Sequence, residues 1–304
     1  MTRKDGRAIS HPNIALVKYW GKKDIEMNIS SNMSVSLTLK NLETVTVVSP
    51  SEEKRDIFIL NGHERPMKER MIKVIQLFKK RAGDVSYIKI DSKNNFPDSC
   101  GLASSASGFS ALVKALNNFY DLNISTPELT EIARYGSGSS SRSIYDGFVC
   151  LDGVKSYKVS DWDDVKVFVI LLEDTEKKVS STEGMIRCAK TSNLYNLRLK
   201  YINYKAQEAM KYIKNKDFTN LAVLTMKEAN EIHAIFMDSY PPIWYLNVRS
   251  FEVIDKVFEL NSKSIKAAYT FDAGPNPFIL TLRKDFEEIF NHFKNLGFKV
   301  IEAL

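Results

Sequence analysis

The sequence predicts a mixed α/β (α+β) fold. Three observations carry that expectation. Apolar runs of strand length alternate with helical periodicities, most plainly near the end: strand Lys266–Phe271, strand Phe278–Leu282, a helix from Asp285 to about Lys294, and strand Phe298–Glu302. In the centre, a strand-like run, Val85–Asp91, passes through a loop of small residues into an amphipathic helix. The 304 residues, 44% hydrophobic and 26% charged, suffice for a substantial core in one large domain or two moderate ones.

Taken in order, Ile14–Val17 is a buried apolar strand that Lys18 interrupts. A lysine there normally leads its charge out to water; turned inward, it requires a buried anion. Met33–Leu39, MSVSLTL, alternates apolar and hydroxyl residues as a half-buried strand does. Thr44–Val48 and Ile57–Leu60 are further strands, the latter ended by the turn pair Asn61-Gly62. Met67–Arg81 is a helix with Met71, Val74, Ile75 and Phe78 on its apolar face; Lys68, Arg70, Lys79 and Lys80 lie on a mostly solvated one. Thr126 caps the next helix, Pro127 sits in its first turn, and it runs to about Arg134. Strand Gly147–Leu151 follows.

Val165–Leu172 is a continuous apolar strand that starts a second region, so the expected division is 1–162 and 163–304. Long helices are expected over Leu194–Lys214 and Phe218–Phe236. Pro241-Pro242 breaks the chain before a helix over Tyr245–Leu260. His233 falls on the helical spacing of Met226, Ala229 and Phe236, which reads as an interior position rather than a ligand.

Three stretches point to chemistry. In Asn94–Tyr120, NNFPDSCGLASSASGFSALVKALNNFY, the free N–H groups of a helix start join the hydroxyls of Ser104, Ser105 and Ser107 as a seat for an anion. Gly101 and its small neighbours allow a phosphate to approach the backbone. A serine-rich cap without a ligand fits that stretch alone equally well, and no Walker Gly-Lys-Ser/Thr follows. Gly136–Ser143, GSGSSSRS, is either a flexible loop or a second anion seat in which Arg142 offers a planar clamp. Asp272 ends a strand before Ala273-Gly274-Pro275-Asn276, where a turn-forming aspartate is the ordinary reading.

The net charge of +6 suits a small anionic substrate. No basic stripe is interleaved with stacking aromatics, so a nucleic-acid partner is not expected. No apolar run is long enough to span a membrane, and the opening MTRKDGRAIS lacks the apolar segment of a secretory signal. Cys100, Cys150 and Cys188 are odd in number and have no metal-ligand spacing. The expectation is a cytoplasmic protein with reduced thiols and no protein-held metal.

Pro97-Asp98-Ser99-Cys100-Gly101-Leu102-Ala103-Ser104-Ser105-Ala106 resembles the phosphate loop of the GHMP kinase superfamily, roughly Pro-x-x-x-Gly-Leu-x-Ser-Ser-Ala. With NIALVKYWGK, GSGSSSRSIYDGF and AYTFDAGPN, the chain closely resembles the mevalonate diphosphate decarboxylase family, nearly end to end. The resemblance implies an N-terminal lobe like ribosomal protein S5 domain 2 and a ferredoxin-like C-terminal lobe. It places the active site in the cleft between them and makes homodimers usual. It implies catalytic roles for Asp272, Lys18 and Arg142, with Asp272 facing the mevalonate 3-hydroxyl and the two cations neutralising phosphate and carboxylate. Tyr19, Lys22, Ser137, Ser139 and Ser181 match positions around the substrate; Asn95, Gly101, Ser104, Ser105 and Ser107 match positions around the nucleotide. The implied reaction converts mevalonate 5-diphosphate to isopentenyl diphosphate with ATP and Mg2+, releasing carbon dioxide, ADP and phosphate.

The chain departs from the family at several points. It has Pro97-Asp98-Ser99-Cys100-Gly101 for the usual Pro-Thr-Ala-Ala-Gly, Asp146-Gly147-Phe148 for Gly-Gly-Phe, and Ile29-Ser30-Ser31-Asn32 for Leu-Pro-x-Asn. Asp98 either points to solvent or marks relaxed nucleotide binding, since an anion beside nucleotide phosphates is unfavourable. The second reading leads to the family's close second: an ATP-independent decarboxylase of mevalonate 3,5-bisphosphate giving isopentenyl phosphate. A decarboxylase of mevalonate 5-phosphate and a non-catalytic binder of a phosphorylated ligand are the remaining alternatives.

Overall fold

A computed structural model describes residues 4–96, 104–173 and 178–304. The phosphate-loop positions Pro97, Asp98, Cys100, Gly101 and Leu102 lie outside the described residues.

The chain opens with strands β1 (Gly6–Ser10) and β2 (Asn13–Val17), the short pair β3 (Lys22–Asp24) and β4 (Ile29–Ser30), then β5 (Ser34–Thr38) and β6 (Thr44–Pro50). After β7 (Ile57–Leu60) and β8 (His63–Glu64) comes helix α1 (Glu69–Ala82), then β9 (Ile88–Asn94), α2 (Ser104–Tyr120) and α3 (Thr126–Gly136). Strands β10 (Phe148–Leu151), β11 (Ser156–Ser160) and β12 (Val165–Leu171) lead to helices α4 (Ser181–Thr191), α5 (Asn193–Arg198), α6 (Ile202–Lys214), α7 (Phe218–Asp238) and α8 (Val248–Leu260). The chain closes with β13 (Ala267–Thr270), β14 (Phe278–Leu282), α9 (Arg283–Asn295) and β15 (Lys299–Glu302).

One sheet runs β1-β6-β9-β7-β8, and only its β7–β9 pair is parallel. Its core, with Val48, Ile88 and Ile90 facing Phe78, Leu112, Leu116 and Ile132, lies under α1, α2 and α3. The apolar face expected for α1 is the buried one: Met71, Val74, Ile75 and Phe78. A second sheet, β11-β10-β5-β2, and a third, β13-β14-β12-β15, are antiparallel throughout. Helices α6 and α7 lie against the second sheet, and α7 and α8 run along β13 of the third. A single apolar core therefore joins the two halves, with Ile14, Val35 and Phe148 in the same cluster as Ala206, Leu221, Val167 and Phe168. Phe286, Phe290 and Phe293 of α9 close around Phe168.

Several elements differ from expectation. The strand expected from Val85 starts at Ile88, because Val85 is exposed in the loop before it. The strand expected as half-buried, β5, is buried at every position; its serines face a buried arginine rather than water. The cap expected at Thr126 is Ser125, with Thr126 already helical. The helix expected over Leu194–Lys214 is two, α5 and α6, interrupted between Arg198 and Ile202. The helix expected from Tyr245 starts at Val248, where Asn247 and Ser250 form a reciprocal capping box. Strands β1 and β11, the β3–β4 pair and helix α4 had no distinct sequence signal.

Candidate active site

Lys18 is the residue just after β2, Asp272 lies two residues beyond the end of β13, and the two meet. Lys18 Nζ donates to Asp272 Oδ1 at 2.9 Å and to the Ala15 carbonyl at 2.6 Å. The lysine side chain is buried, whereas 34% of the aspartate side chain remains exposed. Asp272 is therefore the open member of the pair, the one reachable from outside. Burial lowers the Lys18 pKa, opposed by the charge of Asp272 and, less strongly, by that of Glu228.

Arg142 stands in a single 3-10 turn, Arg142–Ile144, and is buried. Its Nε donates to Ser36 Oγ at 3.0 Å and to Asn13 Oδ1 at 3.2 Å, and its Nη1 donates to Ser34 Oγ at 2.6 Å. Burial lowers its pKa to about 10, opposed first by Asp272, so it stays cationic at neutral pH. The alternating serines of β5 thus act as acceptors that aim a guanidinium. The segment before it is not a flexible loop: Ser140 Oγ bonds the carbonyls of Ala133 and Ser137, and Ser141 Oγ lies 2.8 Å from Ser156 Oγ. Ser137 and Ser139 present paired hydroxyls 3.2 Å apart, and the Ser139 carbonyl is held by Asn13.

Tyr19 leans over this turn. A Cβ on Gly138 would stand 2.5 Å from the Tyr19 hydroxyl, so glycine is what lets the ring lie there. That hydroxyl is buried and has no hydrogen-bond partner among the described residues, and burial pushes its pKa up to about 12. Lys22, on β3, donates to Asn28 Oδ1 at 2.7 Å. Burial, with the charge of Arg70 second, lowers its pKa to about 8. Arg70, half-buried on α1, is near enough for its charge to act at both Lys22 and Tyr19.

Ser181 is the first residue of α4, just after the cap Ser180, whose hydroxyl accepts from the Glu183 N–H at 3.2 Å. One turn on, Gly184 packs against Trp20, which brings α4 beside the Tyr19–Gly21 segment. Ser104 and Ser105 open α2, with Ser105 exposed. Ser107 differs from the expectation that its hydroxyl faces an anion. It is wholly buried, bonded to the hydroxyl of Thr44 and to the Ser104 carbonyl, and so supports the helix start from behind. The Asn95 amide is exposed but braces the turn before β6, accepting from Glu43 N and donating to the Asn41 carbonyl. Gly101 lies outside the described residues. Asp146 is exposed, and Gly147 beside it holds φ +82°, a conformation that favours glycine.

Residues 10–160 match the family described as diphosphomevalonate decarboxylase-like N-terminal domain, and residues 167–301 match mevalonate 5-diphosphate decarboxylase C-terminal domain. The chain belongs to the diphosphomevalonate decarboxylase family. Diphosphomevalonate decarboxylase of Candida albicans is 40% identical over 88% of this chain and 81% of its own length. That of Saccharomyces cerevisiae is 38% identical over 91% and 78%. The crystal structure of mevalonate diphosphate decarboxylase from Staphylococcus aureus superposes with a TM-score of 0.92 at 36% identity, over 99% of this chain and 95% of that one. A structure described as MDDEF in complex with MVAPP, AMPPCP and magnesium gives 0.90 at 33% identity, over 99% and 96%. The fold is that of the GHMP kinase superfamily.

Within this family member, sequence motifs singled out the candidate site residues and missed those that hold them in place. Arg198 and Glu228 pair beneath Lys18 with both side chains fully buried. Arg134, also buried, donates to the Met27 and Val154 carbonyls and ties the β3–β4 pair, and with it Lys22, to α3. A charged residue on an apolar helical stripe, such as Glu228 between Thr225 and Ile232, was the available signal. His233 is an interior residue as expected, ringed by Phe236, Tyr245 and Phe271, and burial lowers its pKa to about 3.

Proposed function

We propose that this protein is an ATP-dependent mevalonate 5-diphosphate decarboxylase, a carbon–carbon lyase that releases isopentenyl diphosphate, carbon dioxide, ADP and phosphate. The observation that carries this reading is the open Asp272 carboxylate paired to buried Lys18, in a chain of this family. Asp272 meets the substrate 3-hydroxyl and takes or orients its proton while the terminal phosphoryl group of ATP is transferred to that oxygen. The C3–O bond then breaks, and the new phosphate leaves with its electron pair. The C1–C2 bond breaks next; its electrons form the C2=C3 alkene, and the carboxylate departs as carbon dioxide. Lys18 and Arg142 neutralise the leaving phosphate and the carboxylate from fixed positions, so little reorganisation accompanies the charge movement.

Tyr19, Lys22, Ser137, Ser139 and Ser181 surround the substrate in this reading. The Tyr19 hydroxyl, which has no partner among the described residues, and the Lys22 ammonium are donors that an anionic diphosphate would accept from. Asn95, Gly101, Ser104 and Ser105 form the nucleotide side, with Ser107 behind them supporting the start of α2. Mg2+ would arrive on the nucleotide and screen its phosphates; the hydroxyls of Ser104 and Ser105 are oxygen donors of the kind it accepts. Among the described residues, no group of three or more His, Cys, Asp or Glu is placed to hold a metal.

The lobe division at 162/163 is supported by the matched segments 10–160 and 167–301. A homodimer in the cytoplasm completes the proposal, and the free thiols of Cys150 and Cys188 fit a reducing compartment. Among the described residues, no helix is long and apolar enough to cross a membrane.

Carbon dioxide release from purified protein tests the reading with two substrates in parallel. Mevalonate 5-diphosphate with ATP and Mg2+ is expected to turn over. Turnover of mevalonate 3,5-bisphosphate without nucleotide, and of nothing else, would make the ATP-independent enzyme correct instead.

A further inference from the structure

The peptide of Lys18 is gripped by side chains from the other half of the chain. The register of β2 shifts between Ala15 and Val17, so Lys18 leaves the strand ladder and its backbone groups need other partners. Its N–H donates to Glu228 Oε1 at 3.0 Å, and its carbonyl accepts from Arg198 Nη2 at 3.2 Å. Asn32 Nδ2 gives that carbonyl a second bond at 2.9 Å. Arg198 Nη1 in turn donates to Glu228 Oε2 at 3.0 Å. Lys205 and Glu231 complete the ring, Lys205 reaching Glu228 at 2.8 Å and Glu231 taking Arg198 at 2.7 Å. Two cations thus face two carboxylates around the backbone N–H and C=O of one residue.

Stability alone is a poor reason for this arrangement. Taking charges out of water consumes most of what their pairing returns, and apolar residues of equal volume often serve the fold as well. What apolar residues cannot do is fix the direction of a polar peptide. Here that direction decides where the Lys18 side chain starts, and its other end is only 2.9 Å from Asp272.

We propose that Arg198 and Glu228 are positioning residues: acting through the Lys18 peptide, they set the ammonium of Lys18 against Asp272 for the reaction. The inference rests on the decarboxylase reading. Neither residue touches substrate. Loss of the grip lets Lys18 shift, and a misplacement of ~1 Å can cost about 100-fold in rate.

Two variants test this. Arg198→Met with Glu228→Met removes both charges at similar volume. Arg198→Lys keeps a charge for Glu228 but has no second nitrogen to reach the Lys18 carbonyl. Each is assayed for carbon dioxide release with mevalonate 5-diphosphate, ATP and Mg2+, and its thermal unfolding is followed. The expected result is a fold close to wild type, kcat lower by about tenfold or more, and KM for both substrates within about threefold. A folded variant of either kind with kcat within about twofold of wild type would overturn the proposal. Equal losses in kcat and melting temperature with a raised KM would also overturn it, as the mark of a general packing defect. If the wild type itself releases no carbon dioxide, the decarboxylase reading fails instead. The positioning is then judged from a crystal structure of Arg198→Lys, where the Lys18 ammonium should move from Asp272 by ~1 Å or more; an unmoved ammonium overturns it.

Discussion

Lys18 Nζ lies 2.9 Å from Asp272 Oδ1, a contact between residues 254 positions apart in the chain. Because the lysine is buried and the carboxylate partly open, the two ends of this pair differ in what a substitution does. Asp272→Asn keeps the shape and removes the accepting charge. Turnover is expected to fall by about 10²–10⁴-fold while circular dichroism stays native. A folded Asp272→Asn enzyme with near-normal turnover would remove Asp272 from the catalytic set.

Arg142→Lys tests the guanidinium geometry. A lysine presents one compact point charge and cannot span Ser34, Ser36 and Asn13 together. The expected loss of stability is about 1–3 kcal/mol from acceptors left unmet, seen as a lower urea midpoint at unchanged slope. Turnover should fall with it. A variant as stable and active as wild type would show that the three-acceptor fan has no energetic role.

Lys22 titrates at about 8 in the free protein, lowered by burial and then by Arg70. Its cation is present below that value and is lost as pH rises through it. If the cation binds substrate phosphate, kcat/KM should show a basic limb near pH 8, and Lys22→Arg should move the limb up beyond the measured range. The same limb in both enzymes would assign it to another group.

His233 couples stability to acid. Its folded pKa is about 3, below the ordinary 6.5, because burial disfavours the cation. The unfolded chain therefore binds a proton that the folded one refuses. The contribution is complete above 6.5 and declines by about 1.4 kcal/mol per pH unit as pH falls from there towards 3. Urea unfolding at pH 7 and 5 should show His233→Phe losing about 2 kcal/mol less than wild type between the two. Equal losses would mean His233 is protonated in the folded protein.

Gly21 carries φ +104°, and a Cβ there would stand 1.9 Å from the Tyr195 hydroxyl. Gly21→Ala should cost about 2–5 kcal/mol from backbone strain and overpacking together. Adding Tyr195→Phe removes the colliding oxygen and should recover part of that loss; no recovery would place the cost in the backbone and the remaining ring carbons rather than the hydroxyl.

The parts of this molecule that were readable beforehand depend on neighbours in sequence. Met71, Val74, Ile75 and Phe78 mark a helix face by spacing alone, and the candidate site residues Lys18, Arg142 and Asp272 each stand in a short, recognisable string. The parts that were not readable depend on distant partners. Ser34 and Ser36 look like the wet face of a strand until Arg142, more than a hundred residues later, turns toward them. Arg198 looks like the middle of a long helix because its partner Glu228 is 30 residues on, and that pairing draws it inward at the end of α5. Ser107 carries a phosphate-loop hydroxyl in the motif but spends it on Thr44, which only the fold brings near.

The core that joins the two halves has a consequence for how the protein is made. As the chain leaves the ribosome, β2, β5, β10 and β11 are complete while α6 and α7, which cover them, are still untranslated. Ile14, Leu16, Val35, Leu37 and Phe148 then form an open greasy surface that awaits the remaining synthesis. Asp272 arrives later still, so the nascent chain passes through a sticky, inactive stage before the last strands seal it. Expressed alone, residues 1–162 are expected to aggregate rather than accumulate as a soluble half, and a chaperone that shields newborn chains would find its substrate in that interval.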